Sequence, residues 1–382
     1  MNILIISRGI PTEKYPLAGI FETDQARALS AYGHSITLFA IDLRSIRHRR
    51  RLGIVKHHID SKIEAYSISV PVGRVPFNIQ YAIGRFALSI LYKKIYKNKP
   101  APDIIHAHFT DMAYIAMPLA QKLNTHFVVT EHSSIMNQDT VSEKTKKIAA
   151  AAYKAADRVI AVSRGLQKNI EKHTGIHAEI VHNIVDTALF SQCKPVKHTG
   201  FHFVTVCNLI KSKRVDLVIQ AMSALHKVHN DISLTVIGDG QQNKDLKNLV
   251  HQLQGEDFIA FTGKIDRTAI CACFQNMDCF VLPSQSETFG VAYIEAMSAG
   301  LPVIATKCGG PEDFVNEGNG LLIDCDNPGL LTEAMETMYL KAEQRYDKEK
   351  IKNYAADMFS PEAISRVLTQ FYSQIVTGGG KH

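Results

Sequence analysis

The chain has 382 residues, of which 46% are hydrophobic and 21% charged, so its composition excludes a disordered or fibrous protein and predicts two globular domains. No apolar run has the length of a membrane-spanning helix, and because the chain opens on a strand-like segment we predict no signal peptide. The formal net charge is +6. Residues 1–192 carry +10 (25 − 15) and the remainder −4 (18 − 22), so the basic half is expected to meet an anionic partner or surface.

The first half alternates predicted strands with predicted helices. This alternation predicts a parallel sheet wrapped by helices, in which ligands bind at the carboxyl ends of the strands. The loop Arg8–Gly19 follows the first strand and is rich in Gly and Pro, so it is expected to line such a site. The predicted strands are Asn2–Ser7, Ser35–Ile41, Glu64–Val70, Asp103–His108, His126–His132, Arg158–Ser163 and Glu179–Asn183, with helices that include Phe21–Ala31, Gly84–Lys97, Met112–Leu123 and Ser142–Ala156.

Two basic segments interrupt this half. The segment Arg85–Lys97 is a candidate basic amphipathic helix. Docking on an anionic membrane surface and a merely solvated basic face are both open readings. Nucleic acid is not expected as a partner, because no recognition module accompanies the charge. The other segment, Leu43–His58, holds Arg44, Arg47, His48, Arg49, Arg50, Arg51, Lys56, His57 and His58.

The pattern breaks around Ser191–Gly200, where we place a linker between domains 1–192 and 193–360. A helix at 361–375 is expected to pack back on the first domain, and Gly378–His382 reads as a loose tail. The predicted strands of the second series are Phe203–Leu209, Ser233–Gly238, Phe258–Phe261, Cys279–Leu282, Pro302–Ala305 and Leu321–Ile323, and its helices are Val215–Val228, Asn243–Gln254, Thr268–Met277, Gly290–Ala299, Gly329–Leu340 and Tyr346–Asp357.

Metal and cofactor signals are weak. The seven cysteines contain no C-x-x-C pair, so we expect reduced thiols in a cytoplasmic protein. His106 and His108 alternate on a predicted strand without a third ligand nearby, and no Asp-x-Asp occurs to hold a metal for a diphosphate. There is no P-loop, and Gly238–Asn243 is only a weak dinucleotide signal. We therefore predict neither a metal nor a resident cofactor.

The strongest local signal is the stretch Pro283–Pro302. A helix is predicted to begin near Gly290, with Glu287 just before it and Glu295 inside it. The free N–H groups of a helix N-terminus suit a phosphate, and two Glu eight residues apart span roughly 12 Å of helix. That span suits hydroxyls on either side of a diphosphate, although a helix cap and a solvated Glu explain the spacing equally well.

Basic side chains are also available for a diphosphate. Lys211, Lys213 and Arg214 follow the predicted strand that ends at Leu209. In an α/β domain, a loop at the carboxyl end of a strand is where basic side chains can contact a pyrophosphate. The alternative is that these residues form an ordinary positively charged loop.

Taken together, these segments resemble the family 4 retaining glycosyltransferases, which have the GT-B fold. The resemblance covers nearly the whole chain and implies two Rossmann-like parallel-sheet domains that face each other across a cleft. It is strongest around the two glutamates. The matching segments are Ala31–His34, Asp103–His108, Val129–His132, Ala156–Ser163, Asn183–Asp186, Ser286–Gly290, Glu295–Val303 and Gly309–Glu312.

The resemblance implies a role for individual residues at the donor. Glu287 is expected beside the transferred sugar, with the backbone N–H groups of Phe289, Gly290 and Val291 holding its hydroxyls and the diphosphate. Glu295 is expected to bind the ribose hydroxyls.

Other implied roles concern the leaving group, the base and the acceptor. Lys213 is expected to offset charge on the departing nucleoside diphosphate, and Lys264 to lie at the nucleobase. His132 is expected near the reacting centre, with a core histidine as the alternative reading. The loop ending at Gly19 is expected to approach the acceptor.

Two departures from the family pattern stand out. The family's Gly-Arg-Leu reads Cys207-Asn208-Leu209 here, which replaces a pyrophosphate-binding arginine by an uncharged amide. Lys211 or Arg214 are candidates to compensate for it. The family's Asn-Gly-Val-Asp reads Asn183-Ile-Val-Asp186, without its glycine.

The implied function is transfer of a sugar, with retention, from a UDP- or GDP-linked donor to an acceptor hydroxyl without a metal. The basic half and the family favour a lipid-linked acceptor glycan in bacterial surface-polysaccharide synthesis, at the inner face of the plasma membrane. The alternatives are a nucleotide-sugar 2-epimerase of the same fold and a nucleotide-sugar-binding partner protein that has lost catalysis, which Asn208 would favour.

Overall fold

The computed structural model describes residues 1–15, 18–44, 52–73, 75–193 and 196–378. The chain folds into two compact units, the first made of Met1–Ile184 with Pro361–His382 and the second of Val185–Ser360. The division after Ile184 precedes the boundary at residue 192 expected from the linker. The reason is a short helix, Thr187–Ser191, which packs against helices of the second unit.

The first unit is an eight-stranded sheet in the order β3-β4-β2-β1-β5-β6-β7-β8. Its strands are β1 (Asn2–Ser7), β2 (Ser35–Asp42), β3 (Gly53–His57), β4 (Ile63–Ser69), β5 (Ile104–His108), β6 (His126–Glu131), β7 (Arg158–Ala161) and β8 (Glu179–Ile180). Its helices are α1 (Ile20–Ala31), α2 (Phe77–Ile95), α3 (Thr110–Leu123), α4 (Glu143–Lys154), α5 (Arg164–Thr174) and the C-terminal α13 (Pro361–Thr377).

The core of this unit lies between the sheet and its helices. The central strand β1 is buried from Ile3 to Ser7, as an apolar run covered on both faces requires. Helix α13 packs against α1, and its Leu368 and Tyr372 join the same hydrophobic cluster as Leu29. The last helix of the chain is therefore part of the first unit.

The edge of the first sheet differs from the prediction. Strand β3, which falls in the segment read only as basic, runs antiparallel to β4, with Val55 opposite Ser67. The described strands otherwise pair in parallel in this sheet. Charged and His residues are poor predictors of a strand, and an edge strand tolerates them because one face meets solvent. Arg47 to Arg51 lie outside the described residues, as do residues 379–382 of the predicted tail.

The second unit is a six-stranded parallel sheet in the order β11-β10-β9-β12-β13-β14. Its strands are β9 (Phe201–Val206), β10 (Ile232–Ile237), β11 (Ile259–Gly263), β12 (Cys279–Leu282), β13 (Val303–Thr306) and β14 (Gly320–Ile323). Its helices are α6 (Thr187–Ser191), α7 (Val215–His226), α8 (Asn243–Gln252), α9 (Arg267–Phe274), α10 (Val291–Ser298), α11 (Pro328–Arg345) and α12 (Lys348–Phe359). The predicted fold class, two α/β Rossmann-like domains, is confirmed.

Two cysteines correct the expectation of seven free thiols. Cys193 and Cys271 form a disulfide, with their Cα atoms 5.8 Å apart although 78 positions separate them in the sequence. The contact between α6 and α9 brings these two positions together. Spacing along the chain therefore gave no hint of the pair, and the other five cysteines are free.

Among the helices of the described ranges, none has the length and hydropathy needed to cross a membrane.

Candidate functional site

The order of the strands predicts a crevice in each unit, where a ligand is expected to bind. In the second unit β9 and β12 are neighbours. From β9 the chain continues to β10 in one direction along the sheet, and from β12 it continues to β13 in the other. Loops that leave such a pair of strands diverge and leave a crevice at their carboxyl ends. The loop after β9 carries Lys213 and the loop after β12 carries Glu287. The topology therefore brings together two residues that the sequence separates by 74 positions.

Lys213 and Glu287 are in direct contact. The Nζ of Lys213 donates to Oε1 of Glu287 at 2.6 Å, and the hydroxyl of the buried Ser284 donates to the same oxygen at 2.8 Å. Both side chains of the ion pair are largely buried. Burial, with a further contribution from Glu287, raises the pKa of the neighbouring Cys207 thiol to about 12, against the opposing effect of Lys213. Ser284 was missed from sequence because a lone serine carries no signal.

The start of α10 is packed too tightly for a side chain at two glycines. Gly290 precedes the helix with φ 103°, a conformation that favours glycine, and a Cβ there would lie 2.7 Å from the ring of Tyr293. A Cβ on Gly310 would lie 2.1 Å from the carbonyl oxygen of Phe289. The backbone thus turns tightly at Gly290 just before α10, and the N-terminus of that helix is where an anion is expected to bind.

Glu295 lies inside α10, about one turn after the first residue of that helix, Val291. It is buried, and its Oε1 is 3.2 Å from Nε of Arg267, the first residue of α9. Arg267 follows the turn that carries the exposed Lys264. Hydrogen bonds from the Asn243 side chain and the Gly240 backbone lower the pKa of Asp239, and the charge of Lys264 makes a smaller contribution in the same direction. The contact between Arg267 and Glu295 was not predictable from the sequence, because the two residues meet only through packing.

The residues considered as substitutes for the missing arginine differ in their availability. Asn208 is exposed on the loop after β9. Arg214 bonds Asp216, with Nη2 3.1 Å from Oδ2, and also pairs with Asp326. Its charge is thereby engaged by two carboxylates, whereas Lys211 is exposed on the same loop.

The first unit has its own crevice between β1 and β5. The loop after β1 carries Arg8, which bonds Asp111 in the first turn of α3, with Nη2 2.6 Å from Oδ1. The guanidinium of Arg8 also lies 3.9 Å from the ring centroid of Phe109, whose backbone has a left-handed φ of 70°. These residues line a cavity of about 410 Å³ together with Gly19. At Gly19, with φ 70°, a Cβ would lie 1.9 Å from the carbonyl oxygen of Gly9, so the loop requires glycine.

His132 lies at the end of β6 in the first unit, at one end of a row of buried imidazoles. Its ring stacks on Phe21 at 5.4 Å and on His108 at 5.2 Å, and His106 stacks on His108 at 4.6 Å. The neighbouring Glu131 accepts hydrogen bonds from the backbone N–H groups of His132 and Ser133, which fixes the end of the strand. Burial lowers the pKa of His132 to about 4, so the imidazole is neutral near pH 7.

The hydrogen bonds along this row assign the proton on each ring. The Gln25 amide nitrogen can only donate, and it lies 3.1 Å from Nδ1 of His106 and 3.4 Å from Nε2 of His108. With the amide in this orientation, His108 carries its proton on Nδ1 and donates it to Nε2 of His132, 2.9 Å away. His132 then carries its proton on Nδ1, a buried atom without a partner at hydrogen-bonding geometry among the described residues, and the nearby side chain of Asn183 opposes the lowering of the ring pKa. The geometry therefore presents an N–H donor.

Metal ligands do not cluster around these residues. Across the ranges 1–15, 18–44, 52–73, 75–193 and 196–378, His, Cys, Asp and Glu form no group of three or more that could hold a metal ion. The buried row of histidines makes its hydrogen bonds to Gln25, Thr130 and Tyr372 instead.

Known protein families account for most of the chain. Residues 21–189 match the model described as Glycosyltransferase Family 4, and residues 189–358 match the model described as Glycosyl transferases group 1. The protein is a glycosyltransferase. Its group 1 domain contains Lys213, Glu287 and Glu295, and its Family 4 domain contains His132.

Individual relatives agree with this assignment. The chain is 24% identical over 371 residues to the N-acetyl-alpha-D-glucosaminyl L-malate synthase of Bacillus anthracis, covering 93% of each chain. Sucrose-phosphate synthase from Thermosynechococcus elongatus superposes with a TM-score of 0.79 at 20% identity, over 99% of each chain. HepE of Anabaena, solved with UDP, gives a TM-score of 0.74 at 17% identity, over 98% of this glycosyltransferase and 100% of HepE. At these identities, the two structures establish the shared GT-B fold.

Proposed function

We propose that this glycosyltransferase moves a sugar from a nucleotide diphosphate sugar to an acceptor hydroxyl, with retention of anomeric configuration and without a metal ion. The observation that carries the proposal is the contact between Lys213 and Glu287 beside the start of α10. A cation, a carboxylate and a helix N-terminus in one crevice supply partners for a diphosphate and for sugar hydroxyls. The solved structures of HepE with UDP and with UDP-glucose support a nucleotide-sugar donor.

The donor lies along the carboxyl edge of the second sheet in this proposal. Glu287 binds the sugar, and the backbone of Phe289, Gly290 and Val291 faces the sugar and the phosphates. Glu295 binds the ribose, held in place by Arg267 at 3.2 Å. Lys264 lies at the nucleobase, uracil or guanine. Asn208 offers the pyrophosphate an uncharged amide.

Lys213 has the main chemical role. Breaking the glycosidic bond to the diphosphate develops negative charge on the leaving oxygen, and a preorganised ammonium lowers the barrier by binding that charge. Glu287 keeps the ammonium in position before the donor arrives, because each charge offsets the desolvation of the other. We assign no covalent intermediate to Glu287. The acceptor instead attacks the same face of the sugar, and the departing phosphate oxygen takes the proton.

On the acceptor side, the proposal assigns His132 and the cavity at Gly19. His132 presents a neutral N–H donor, which can bond a sugar hydroxyl. An imidazolium in its place would repel a positively charged sugar. The cavity of about 410 Å³ is large enough for a small ligand and is lined mainly by apolar and aromatic side chains. A 2-epimerase acts on the donor alone and has no use for such a cavity.

We further propose that the acceptor is lipid-linked, as in synthesis of a surface polysaccharide, and that α2 rests on an anionic membrane surface. One side of this helix exposes Ile79, Phe86 and Ile90, which recur at helical spacing, and Phe86 is 70% exposed. Lys93 and Lys94 follow in its last turn. An apolar stripe beside lysines matches an acidic lipid interface in both hydrophobicity and charge.

A panel of UDP- and GDP-sugars tests the proposed function without knowledge of the acceptor. The protein is incubated with each sugar and the solution is followed by NMR. Slow release of nucleoside diphosphate and free sugar supports a transferase, because water replaces the acceptor. Conversion of the donor into its 2-epimer identifies the epimerase, and binding without any reaction identifies a non-catalytic partner protein. Either outcome contradicts the proposal.

A further inference from the structure

A buried glutamate in the first unit has no place in the function proposed so far. Glu22 lies in the first turn of α1, is 1% exposed, and lines the cavity of about 410 Å³. Its Oε1 finds no hydrogen-bond donor among the residues that the structure describes. A buried carboxylate oxygen without a donor destabilises a fold, so a second role for this side chain explains its presence.

The charges around the cavity distinguish between ligands. The two described cations that line it already have partners, because Arg8 bonds Asp111 and the Nε of Arg44 donates to Oδ1 of Asp42 at 2.9 Å. Glu22 therefore adds a carboxyl group to cations that are already neutralised. Among the residues that the structure describes, a phosphate entering this cavity would meet that carboxylate without an uncommitted cation to offset it.

The rest of the lining suits a ring that has both apolar and hydroxylated faces. Phe21, Phe77, Tyr81 and Phe109 contribute aromatic surface to the cavity. Sugars present C–H groups to such rings and hydroxyl groups to polar side chains, and a carboxylate accepts more than one hydroxyl at once.

We propose that this cavity binds an uncharged, hydroxyl-rich ring of the acceptor, a sugar residue, and that the Glu22 carboxylate accepts hydrogen bonds from its hydroxyls. The role as acceptor rests on the proposed transferase function, whereas the binding of a sugar does not. In a lipid-linked acceptor the sugar occupies the cavity and the lipid phosphate stays outside it. The aromatic residue Phe77, at the start of α2, belongs to both the cavity and the helix proposed to contact the membrane.

Binding of small probes tests this inference directly. Methyl glycosides of common hexoses and N-acetylhexosamines are screened against the full chain by saturation-transfer NMR, with inorganic phosphate as a competitor. We expect at least one glycoside to bind and phosphate not to displace it. Glu22→Met removes both acceptor oxygens and is expected to weaken binding about tenfold or more, and Glu22→Gln, which keeps one, to weaken it less. Glu171→Gln, at an exposed glutamate of α5, serves as the matched control and leaves binding unchanged.

The outcomes separate this inference from the proposed function. Phe77→Ala changes a half-exposed residue of the rim without disturbing the core. This variant is expected to weaken binding of the same glycoside, and it therefore tests the inference even if a Glu22 variant does not fold. UDP or GDP binding by the Glu22 variants is expected to match the unaltered protein, since Lys213 and Glu287 are intact. Absence of glycoside binding, displacement by phosphate, or equal binding by Glu22→Met and the unaltered protein overturns the inference, whatever the outcome of the nucleotide-sugar panel.

Discussion

The Nζ of Lys213 lies 2.6 Å from Oε1 of Glu287, in a pair formed across the two central strands of the second sheet. Each residue follows a different strand, so the pair exists only because β9 and β12 are neighbours at the point where the chain changes direction. The contact keeps a cation and a carboxylate beside the N-terminus of α10. The proposed donor site depends on this arrangement.

Removing the cation is expected to affect the chemical step. Lys213→Ala should lower kcat for donor cleavage by about 10²–10³, with a smaller change in KM, because the charge that Lys213 offsets develops on the leaving group. Steady-state kinetics with the donor found in the panel measures both constants. Lys227→Ala, at the exposed far end of α7, is the control and should match the unaltered protein. Equal kcat values for Lys213→Ala and the control would remove Lys213 from the mechanism.

Restoring the missing charge is expected to improve the site. Asn208→Arg places a guanidinium on the exposed loop next to the proposed pyrophosphate, so the Kd for UDP or GDP should fall by about three- to tenfold. Calorimetric titration measures the change, and higher salt should reduce it. Asn208→Gln keeps a neutral amide and should leave the Kd unchanged. A tighter Kd for the Gln variant alone would show that side-chain length, and not charge, limits binding.

Gln25 is expected to determine the tautomer of His132. With the amide donating to both buried neighbours, His132 should carry its proton on Nδ1 at pH 7, where its low pKa keeps it neutral. The ¹³C and ¹⁵N shifts of the His132 ring, assigned by comparison with His132→Gln, report the tautomer. Gln25→Met removes the donor and should give a mixture. A proton found on Nε2 in the unaltered protein would mean that the Gln25 amide is oriented the other way.

Glu22 is expected to make stability fall as pH rises. Burial raises its pKa from the ordinary 4.5 to about 6, so the folded state holds the proton more tightly than the unfolded chain. This stabilising effect is complete below pH 4.5 and is lost as pH rises through 6. The loss amounts to about 2 kcal/mol, because each pH unit between the two pKa values contributes ~1.4 kcal/mol. Relative to the unaltered protein, Glu22→Gln should therefore gain about 2 kcal/mol in free energy of unfolding between pH 4 and pH 8. Urea unfolding measures the difference, and a gap that does not vary with pH would contradict the raised pKa.

The exposed stripe of α2 is expected to bind acidic vesicles. The protein should sediment with vesicles that contain phosphatidylglycerol and stay in solution with pure phosphatidylcholine. Phe86→Ser should weaken vesicle binding about tenfold, because it removes the most exposed ring of the stripe. Val228→Ser alters a residue of the second unit that is 73% exposed and is the matched control. Equal loss in both variants would place the contact elsewhere.

Much of the fold was predictable because hydrophobic periodicity is local. The strand Cys279–Leu282 and the helix Asn243–Gln252 begin where their apolar patterns begin. Strand β3 was not predictable, because its basic residues hide the alternation and its stability comes from pairing with β4. Helix α2 begins at Phe77, seven residues before the predicted Gly84 (84 − 77), because exposed apolar residues break the amphipathic pattern used to find it.

The candidate site was predictable only in part. Glu287 and Glu295 were found because a family pattern surrounds them, and Lys213 because it follows a strand. Gln25 and Glu22 gave no such signal, since a polar residue on an amphipathic helix reads as solvated. Their burial results from packing of α1 against the sheet and α13, which depends on segments more than 300 residues apart in the chain.

The stereochemistry of the first product tests the central claim most directly. An α-linked nucleotide sugar identified by the panel is incubated with a large amount of protein, and ¹H NMR records the anomeric proton of the product before mutarotation. We predict an α-configured product, formed by the unaltered protein and lost in Lys213→Ala. A β-configured first product would contradict retention, and a 2-epimer of the intact donor would contradict sugar transfer itself.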